Sequence, residues 1–205
     1  MGKRIAVLVF IFFLSYIILS TPKRVIPKVI AREVHTALSY YPELNDIPIE
    51  FKFKKNIKKS VMLAQPTLSS VFKTKDKRGY VVLISERFQI TGTEFKTVEV
   101  PSEVMIGWIG HELGHIMDYQ ERSGLNLIGF GIRYVLFKEH IKKAERAADS
   151  FAVSRGMADY IIKTKKFILE NASITEAYKN RIRKFYLSPE EIMEMVKLQQ
   201  EREIE

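Results

Sequence analysis

The chain has 205 residues, of which 46% are hydrophobic and none is cysteine. This length predicts one domain, with or without a terminal appendage, and the apolar fraction excludes wholesale disorder. The lack of cysteine excludes a disulfide framework and a thiolate metal site, so a bound metal must be held by His, Asp or Glu. The formal net charge of +9 is spread over the whole chain, which favours a solvated basic surface over a nucleic-acid partner.

The first 22 residues are expected to form a hydrophobic membrane anchor or a signal segment. The run from Ile5 to Leu19 has only Ser15 and Tyr16 as polar interruptions. As a helix it would be about 22 Å long, a little short for a comfortable span and well matched to a signal-peptide core. Because Ile18-Leu19-Ser20 is a poor cleavage signal, the sequence favours a single uncleaved N-terminal anchor, and export after cleavage is the alternative. Basic residues on both sides leave the orientation open.

The remaining residues, 23–205, predict an α+β domain that begins with a helix and a small sheet. Residues 25–41 have helical spacing, and Pro42 ends that helix. The alternation in 49–54 predicts a strand with one wet face, and 61–64 predicts a second strand. The predicted hairpin consists of Val71-Phe72, a basic turn and the strand Tyr80–Ser85. The sheet is therefore expected to be antiparallel.

From about residue 100 the sequence predicts a mainly helical half. The first helix has Ser102 as its N-cap, runs to about Arg122 and ends at Gly124. Further helices are predicted at 138–155 with Gly156 as the cap, at 174–186, and after the capping sequence Ser188-Pro189-Glu190-Glu191.

Residues 125–137 are apolar but too short to span a bilayer. Three interpretations remain open for them: a part of the core, a wall of a substrate groove, or a contact with a membrane surface.

The first predicted helix contains His111-Glu112-Leu113-Gly114-His115. Two histidines four residues apart project from one face of a helix, where both imidazoles can reach one zinc ion at about 2.0–2.1 Å. Glu112 lies about 100° around the helix, where it can approach a metal-bound water as a general base. The chain has only 4 histidines, so this spacing around a glutamate is improbable by chance.

A catalytic zinc site needs a third protein ligand, and the best candidate lies on the 138–155 helix. Asp118 and Glu121 are formal candidates, but a straight helix can hardly bring either one to the metal. Glu145 can supply the ligand, and Asp149, one turn further, can accept the outer N–H of a ligand histidine. Close approach of the two helices is favoured by alanines at 144, 147, 148 and 152.

This pattern resembles the gluzincin zinc metallopeptidases, in particular the membrane-associated endopeptidases of the heat-shock and CAAX-prenyl-protease type. Their E-x-x-A-D-x-x-A helix corresponds to Glu145-Arg-Ala-Ala-Asp149-Ser-Phe-Ala152 here. The resemblance implies a zincin-like domain over 23–205, Glu145 as third ligand, Asp149 as its support, and an upstream sheet whose edge strand binds substrate. A single N-terminal hydrophobic run, in place of several spans, favours a small catalytic unit on a tether.

The expected function is that of a zinc-dependent endopeptidase with one Zn²⁺ per chain and a peptide or protein substrate. Glu112 takes a proton from the attacking water, and the strand Tyr80–Ser85, if it is a sheet edge, pairs with the substrate. A donor to the developing oxyanion is also needed, and the candidates, none supported by a spacing argument, are His140, Tyr119 and Tyr134.

Two other classes of function stay open. One is a membrane-tethered, metal-binding but non-hydrolytic interaction module. The other is a basic, membrane-bound domain that binds lipid or nucleic acid, in which the histidines are incidental; no nucleic-acid partner is expected.

Overall fold

The structure is a computed structural model that describes residues 24–55, 57, 60–90, 93–171 and 174–204. The predicted anchor or signal segment, 1–22, lies outside the described residues. Within the described ranges, each helix is too short or too polar to cross a membrane.

The described chain is α+β and mostly helical, as the sequence predicted. The strands are β1 (Ile49–Lys54), β2 (Met62–Pro66), β3 (Tyr80–Ser85), β4 (Arg87–Ile90) and β5 (Thr93–Lys96). The helices are α1 (Ala31–Ser39), α2 (Ser102–Glu121), α3 (Gly124–Leu136), α4 (Lys138–Ser154), α5 (Ala158–Glu170), α6 (Glu176–Phe185) and α7 (Pro189–Ile204).

The main sheet is mixed, so the prediction of an antiparallel sheet is wrong. Its order is β1-β3-β2, with β1 parallel and β2 antiparallel to the central β3. Both Phe51 of β1 and Ala64 of β2 lie opposite Val82. Alternation in a sequence predicts which face of a strand is wet, but it carries no information about strand order or direction.

The predicted hairpin is wrong as well. Val71 and Phe72 lie between two short 3₁₀ turns, Leu68–Ser70 and Lys75–Lys77, rather than in a strand. β3 is buried along almost its whole length, as a central strand must be. The chain does form a hairpin further on, where β4 pairs antiparallel with β5 in a separate two-stranded sheet.

Helix α2 is the centre of the fold, and every residue from Val104 to Ile116 is buried. It packs against α1, α4, α5 and β2, so that its surface is covered on several sides. A helix with buried residues on every side is stable only when it is enclosed in this way. Two glycines allow the close approach of neighbours: a Cβ on Gly107 would lie 2.4 Å from Tyr160 O, and one on Gly114 would lie 2.3 Å from Ala148 O.

The predicted helix ends are partly right. Gly156, with φ of 84°, follows α4 as expected of a C-terminal glycine. The capping box before α7 is present, since Ser188 N donates to Glu191 Oε2 and Glu191 N donates to Ser188 Oγ, at 2.8 and 3.2 Å.

Other predicted ends are wrong. Ser102 is not the N-cap of α2, because it is already helical and its hydroxyl donates to Glu33 at 2.7 Å. Gly124 does not end α2 but begins α3, whose N-cap is Ser123. Helix α5 was not predicted at all.

Candidate metal centre

Three buried side chains from two helices converge on one point. His111 and His115 come from α2 and Glu145 from α4, and one ligand atom of each lies within 4.8 Å of the others. Glu145 Oε2 lies 3.1 Å from Nε2 of His111 and 3.4 Å from Nε2 of His115. The structure therefore places Glu145, rather than a residue further along α2, against both imidazoles.

The donor set fits a metal ion. Two imidazole nitrogens and one carboxylate oxygen face each other in a buried site, and nitrogen and oxygen donors of this kind are preferred by zinc and similar divalent metals. The sequence alternatives are placed elsewhere. The Asp118 carboxylate is bound by the Arg122 guanidinium at 2.7 Å, and Glu121 is exposed.

The close contact between α2 and α4 brings Glu145 to the histidines. Gly114 lies against the backbone of Ala148, so that any side chain at 114 would push the two helices apart. The face of α4 turned to α2 consists of small residues beside the two carboxylates, and Ala144, Ala148 and Ala152 are buried there. Small residues at a helix crossing allow backbones to approach closely.

Asp149 fixes one of the two histidines of the cluster. Its Oδ1 accepts a hydrogen bond from Nδ1 of His111 at 2.9 Å, which leaves Nε2 directed at Glu145. Its Oδ2 accepts from Nζ of Lys165 at 2.8 Å and from the backbone N–H of Leu187 at 2.9 Å. Burial raises the pKa of Asp149, but Lys165 and His111 outweigh it, and the net pKa is lowered. An ionised Asp149 orients the imidazole of His111.

Lys165 and Leu187 belong to this network and were missed in the sequence. Lys165 is 4% exposed and lies on the buried face of α5, together with Ile161, Thr164 and Ile168. A lysine at a buried helical position needs an acidic partner. The spacing of Lys165 from the apolar residues Ile161 and Ile168 therefore indicates a buried ion pair. This ion pair was not identified from the sequence because helix α5 was not predicted.

The second histidine of the cluster has a different environment. Nδ1 of His115 is buried and has no hydrogen-bond partner in the described part of the chain. The imidazole instead stacks on the ring of Tyr119, with centroids 6.1 Å apart and planes 16° apart. Asp149 thus holds His111 at Nδ1, whereas Tyr119 packs against His115 on that side.

Glu112 lies at the open edge of the sheet. Its Oε2 accepts a hydrogen bond from the backbone N–H of Ala64 at 2.6 Å. The backbone carbonyl of Val61 accepts a hydrogen bond from Ser85 N of β3. Because the backbone groups of successive residues in a strand point to opposite sides, those of Ala64, three residues later, point away from β3. Burial raises the pKa of Glu112, and the neighbouring His115 and His111 offset only part of that rise.

The three side chains predicted as oxyanion donors lie in three different environments. The Tyr134 hydroxyl donates to Oε1 of Glu145, and the Tyr119 hydroxyl donates to the carbonyl of Ala64 at 3.3 Å. His140 is not brought to the cluster; its ring lies against Phe137, with centroids 6.0 Å apart.

A further cation, which the sequence did not single out, lies at Glu145. Nη2 of Arg181 is 3.5 Å from Oε1 of Glu145. Burial raises the pKa of Glu145, but its hydrogen bonds to the two histidines hold the pKa well below its usual range. For His111, burial lowers the pKa, but Asp149 and Glu145 outweigh it and raise the pKa to about 10.

A pocket opens beside His111 and Glu112. Its walls come from β2 and four helices, and most of the lining residues are apolar or aromatic, among them Met62, Trp108, Ile161, Ile182 and Tyr186. The Tyr186 ring lies over the His111 imidazole with centroids 5.3 Å apart.

Comparisons with protein-family models, with curated proteins and with solved structures found no match to this chain. What the chain does is therefore inferred from its own residues.

Proposed function

We propose that the chain is a zinc-dependent endopeptidase of the gluzincin type. The observation that supports this most directly is the convergence of His111, His115 and Glu145. Both Nε2 atoms lie within 3.4 Å of one carboxylate oxygen supplied by a different helix. A buried two-histidine, one-glutamate cluster with a second buried glutamate beside it has the composition of a hydrolytic zinc site.

The cluster is proposed to hold one zinc ion per chain through the two Nε2 atoms and the Glu145 carboxylate. Bound zinc supplies a Lewis acid that lowers the pKa of a coordinated water and polarises a substrate carbonyl. Asp149 contributes by keeping the proton of His111 on Nδ1, so that Nε2 is free to bind.

Glu112 is the proposed general base. It accepts a proton from the water that attacks the peptide carbonyl and passes it to the leaving amine. Burial raises the pKa of Glu112, which favours proton uptake by its carboxylate.

Substrate is proposed to bind along β2 rather than along Tyr80–Ser85. The latter strand is β3, which lies in the centre of the sheet and has no free edge. The N–H and C=O of Ala64 point toward the cluster, where they can pair with an extended peptide by strand addition.

Tyr134 is the better placed of the proposed oxyanion donors. Its hydroxyl already lies at the ligand carboxylate, whereas the Tyr119 hydroxyl is bonded to the carbonyl of the substrate-binding strand.

The deciding experiment measures zinc and cleavage together in the full chain. Zinc per chain is determined by elemental analysis, and cleavage of an unstructured protein is followed with and without a chelator. Glu112→Gln should keep about one zinc and lose activity by about a thousandfold or more, because the base is removed while the ligands remain. Exposed Glu121→Gln is the matched control and should leave activity unchanged.

Two other outcomes have definite meanings. Absence of bound zinc would overturn the proposal. Stoichiometric zinc without chelator-sensitive cleavage would favour the non-hydrolytic metal-binding module.

The tether also remains a proposal. Residues 1–22 are proposed to attach the domain to a membrane, or to direct its export if they are cleaved. A reporter fused to the C-terminus would establish on which side of the membrane the domain lies.

A further inference from the structure

Helix α3 has two apolar faces, only one of which is covered. Leu127 and Phe130 are buried against the rest of the domain. On the other side lies a stripe at helical spacing, here called the outer face of α3, made of Leu125, Ile128, Ile132, Val135 and Leu136. These side chains are 41–79% exposed, and Leu125 and Val135 are each 79% exposed. An apolar stripe of this extent marks an interaction surface.

The outer face continues beyond the helix at both ends. Phe137, directly after α3, is 54% exposed. At the other end, the backbone of Val71 and Phe72 lies against Gly124, and Phe72 is 80% exposed. The apolar surface is therefore longer than the helix alone.

Positive charges outnumber negative ones in the segments that adjoin this surface, where Asp76, Glu121 and Glu139 are the exposed acidic residues. No acidic residue occurs between Arg122 and Lys138, and Arg133 lies within α3 itself. The adjoining segments add exposed lysines, namely Lys73, Lys75 and Lys77 before the helix and Lys142 and Lys143 after it. An apolar helical face flanked by lysine and arginine is the pattern of a helix that lies in the interface of an anionic bilayer.

We propose that the outer face of α3 docks onto the surface of an anionic lipid bilayer. Charge decides between this occupant and two others. Residues 1–22 contain Lys3 and Arg4 and no acidic residue, so they do not complement the basic flanks. A second copy of the chain would bring the same basic flanks into contact with themselves. Anionic headgroups complement them, and the 13-residue helix, about 20 Å long, lies along the interface and does not span it.

Docking places the candidate metal centre next to the lipid. Tyr134, on the covered side of α3, donates to Glu145 of the cluster. One helix thus contacts the bilayer with one face and a proposed zinc ligand with the other. The docking itself does not depend on the proposed peptidase activity.

The test uses the lack of cysteine in the chain. A single cysteine is introduced into the full chain at Val135 or, as a control, at exposed Ser154 at the far end of α4, and is labelled with an environment-sensitive fluorophore. Vesicles contain phosphatidylcholine alone or with phosphatidylglycerol, and carry a quencher on the acyl chains. We expect the Val135→Cys label to be quenched in vesicles with phosphatidylglycerol, and the Ser154→Cys label to stay unquenched.

Further substitutions in the labelled chains then distinguish the contribution of charge to docking from that of apolar contact. In the Leu125→Cys labelled chain, Ile132→Glu with Val135→Glu should reduce the docked fraction more than about tenfold. The matched pair Met193→Glu with Leu198→Glu, on exposed positions of α7, should not change it. Each of Lys142→Gln and Lys143→Gln should weaken docking about fivefold.

Three results would overturn the proposal. The first is a chain that floats with vesicles while its Val135→Cys label stays in water. The second is equal quenching in vesicles with and without phosphatidylglycerol. The third is a Val135→Cys label that is shielded from water without vesicles, which would assign the face to residues 1–22 or to a second copy. Zinc content, measured on the same samples, reports on the metal centre separately.

Discussion

The consecutive helices α2 and α3 have similar compositions and opposite environments. Both are rich in glycine and large apolar residues. In α2 every position from Val104 to Ile116 is buried, whereas in α3 only Leu127 and Phe130 are. Their glycines differ in the same way: a Cβ on Gly114 would collide with a backbone carbonyl at 2.3 Å, and a Cβ on Gly131 would meet nothing within 4 Å. Apolar character alone therefore does not tell an enclosed helix from one with a free face.

The largest expected effect concerns the buried ion pair between Asp149 of α4 and Lys165 of α5, because Asp149 also binds His111 of α2. Asp149→Asn leaves the buried ammonium of Lys165 without its charge partner, which should lower the free energy of unfolding by about 3–5 kcal/mol. Zinc affinity should also fall about 10–100-fold, because His111 loses its support. Chemical denaturation and zinc titration measure the two effects.

The double variant Asp149→Asn with Lys165→Met is the control for this pair. Since it removes both charges, it should unfold less easily than Asp149→Asn alone while zinc affinity stays low. If the two variants are equally stable, the cost does not come from an unpaired lysine.

The next effect tests the crossing of α2 and α4. In Gly114→Ala the new methyl group meets Ala148 O at 2.3 Å, so the helices must separate. We expect a loss of about 3 kcal/mol in the free energy of unfolding and weaker zinc binding, since Glu145 moves with α4. Thermal unfolding followed by circular dichroism measures the loss, and an unchanged midpoint would contradict the close packing.

A smaller effect concerns the polar contact of α3 with the cluster. Tyr134→Phe removes the hydroxyl that donates to Glu145 and leaves the ring in place. Zinc affinity should fall by about tenfold or less, because the carboxylate loses one charge-assisted hydrogen bond. Competition with a chelator of known affinity measures the change. A hundredfold loss would mean that Tyr134 does more than support the ligand.

The smallest effect has the opposite sign. Gly131→Ala adds a methyl group in open space within a helix, so it should raise the free energy of unfolding by about 0.5–1 kcal/mol. It is the counterpart of Gly114→Ala, and a thermal midpoint that falls in both variants would remove the contrast between the two helices.

Local patterns in the sequence predicted much of the helical half and of the cluster. Histidine spacing predicted that His111 and His115 share a helix face, and Gly156 marked the end of α4 correctly. Glu145 was identified because the alanine pattern around it indicated a helix that could approach α2.

The features that the sequence did not reveal depend on contacts between distant segments. Strand order is one, because the central position of β3 depends on where β1 and β2 pack and not on its own residues. The role of Lys165 is another, since its partner lies 16 positions away on a different helix. The position of His140 is a third, because it depends on where the N-terminal end of α4 lies. The residues next to His140 in the sequence do not indicate this.

The hydrogen bonds at Ala64 have a consequence for solubility. A free strand edge invites pairing with strands of other chains, and β2 is an edge strand of the sheet. Here its outward N–H and C=O are held by the Glu112 carboxylate and the Tyr119 hydroxyl, and Pro66 ends the strand without a donor. A peptide must displace two side chains to pair with this strand, which guards the domain against aggregation through the same edge that is proposed to bind its substrate.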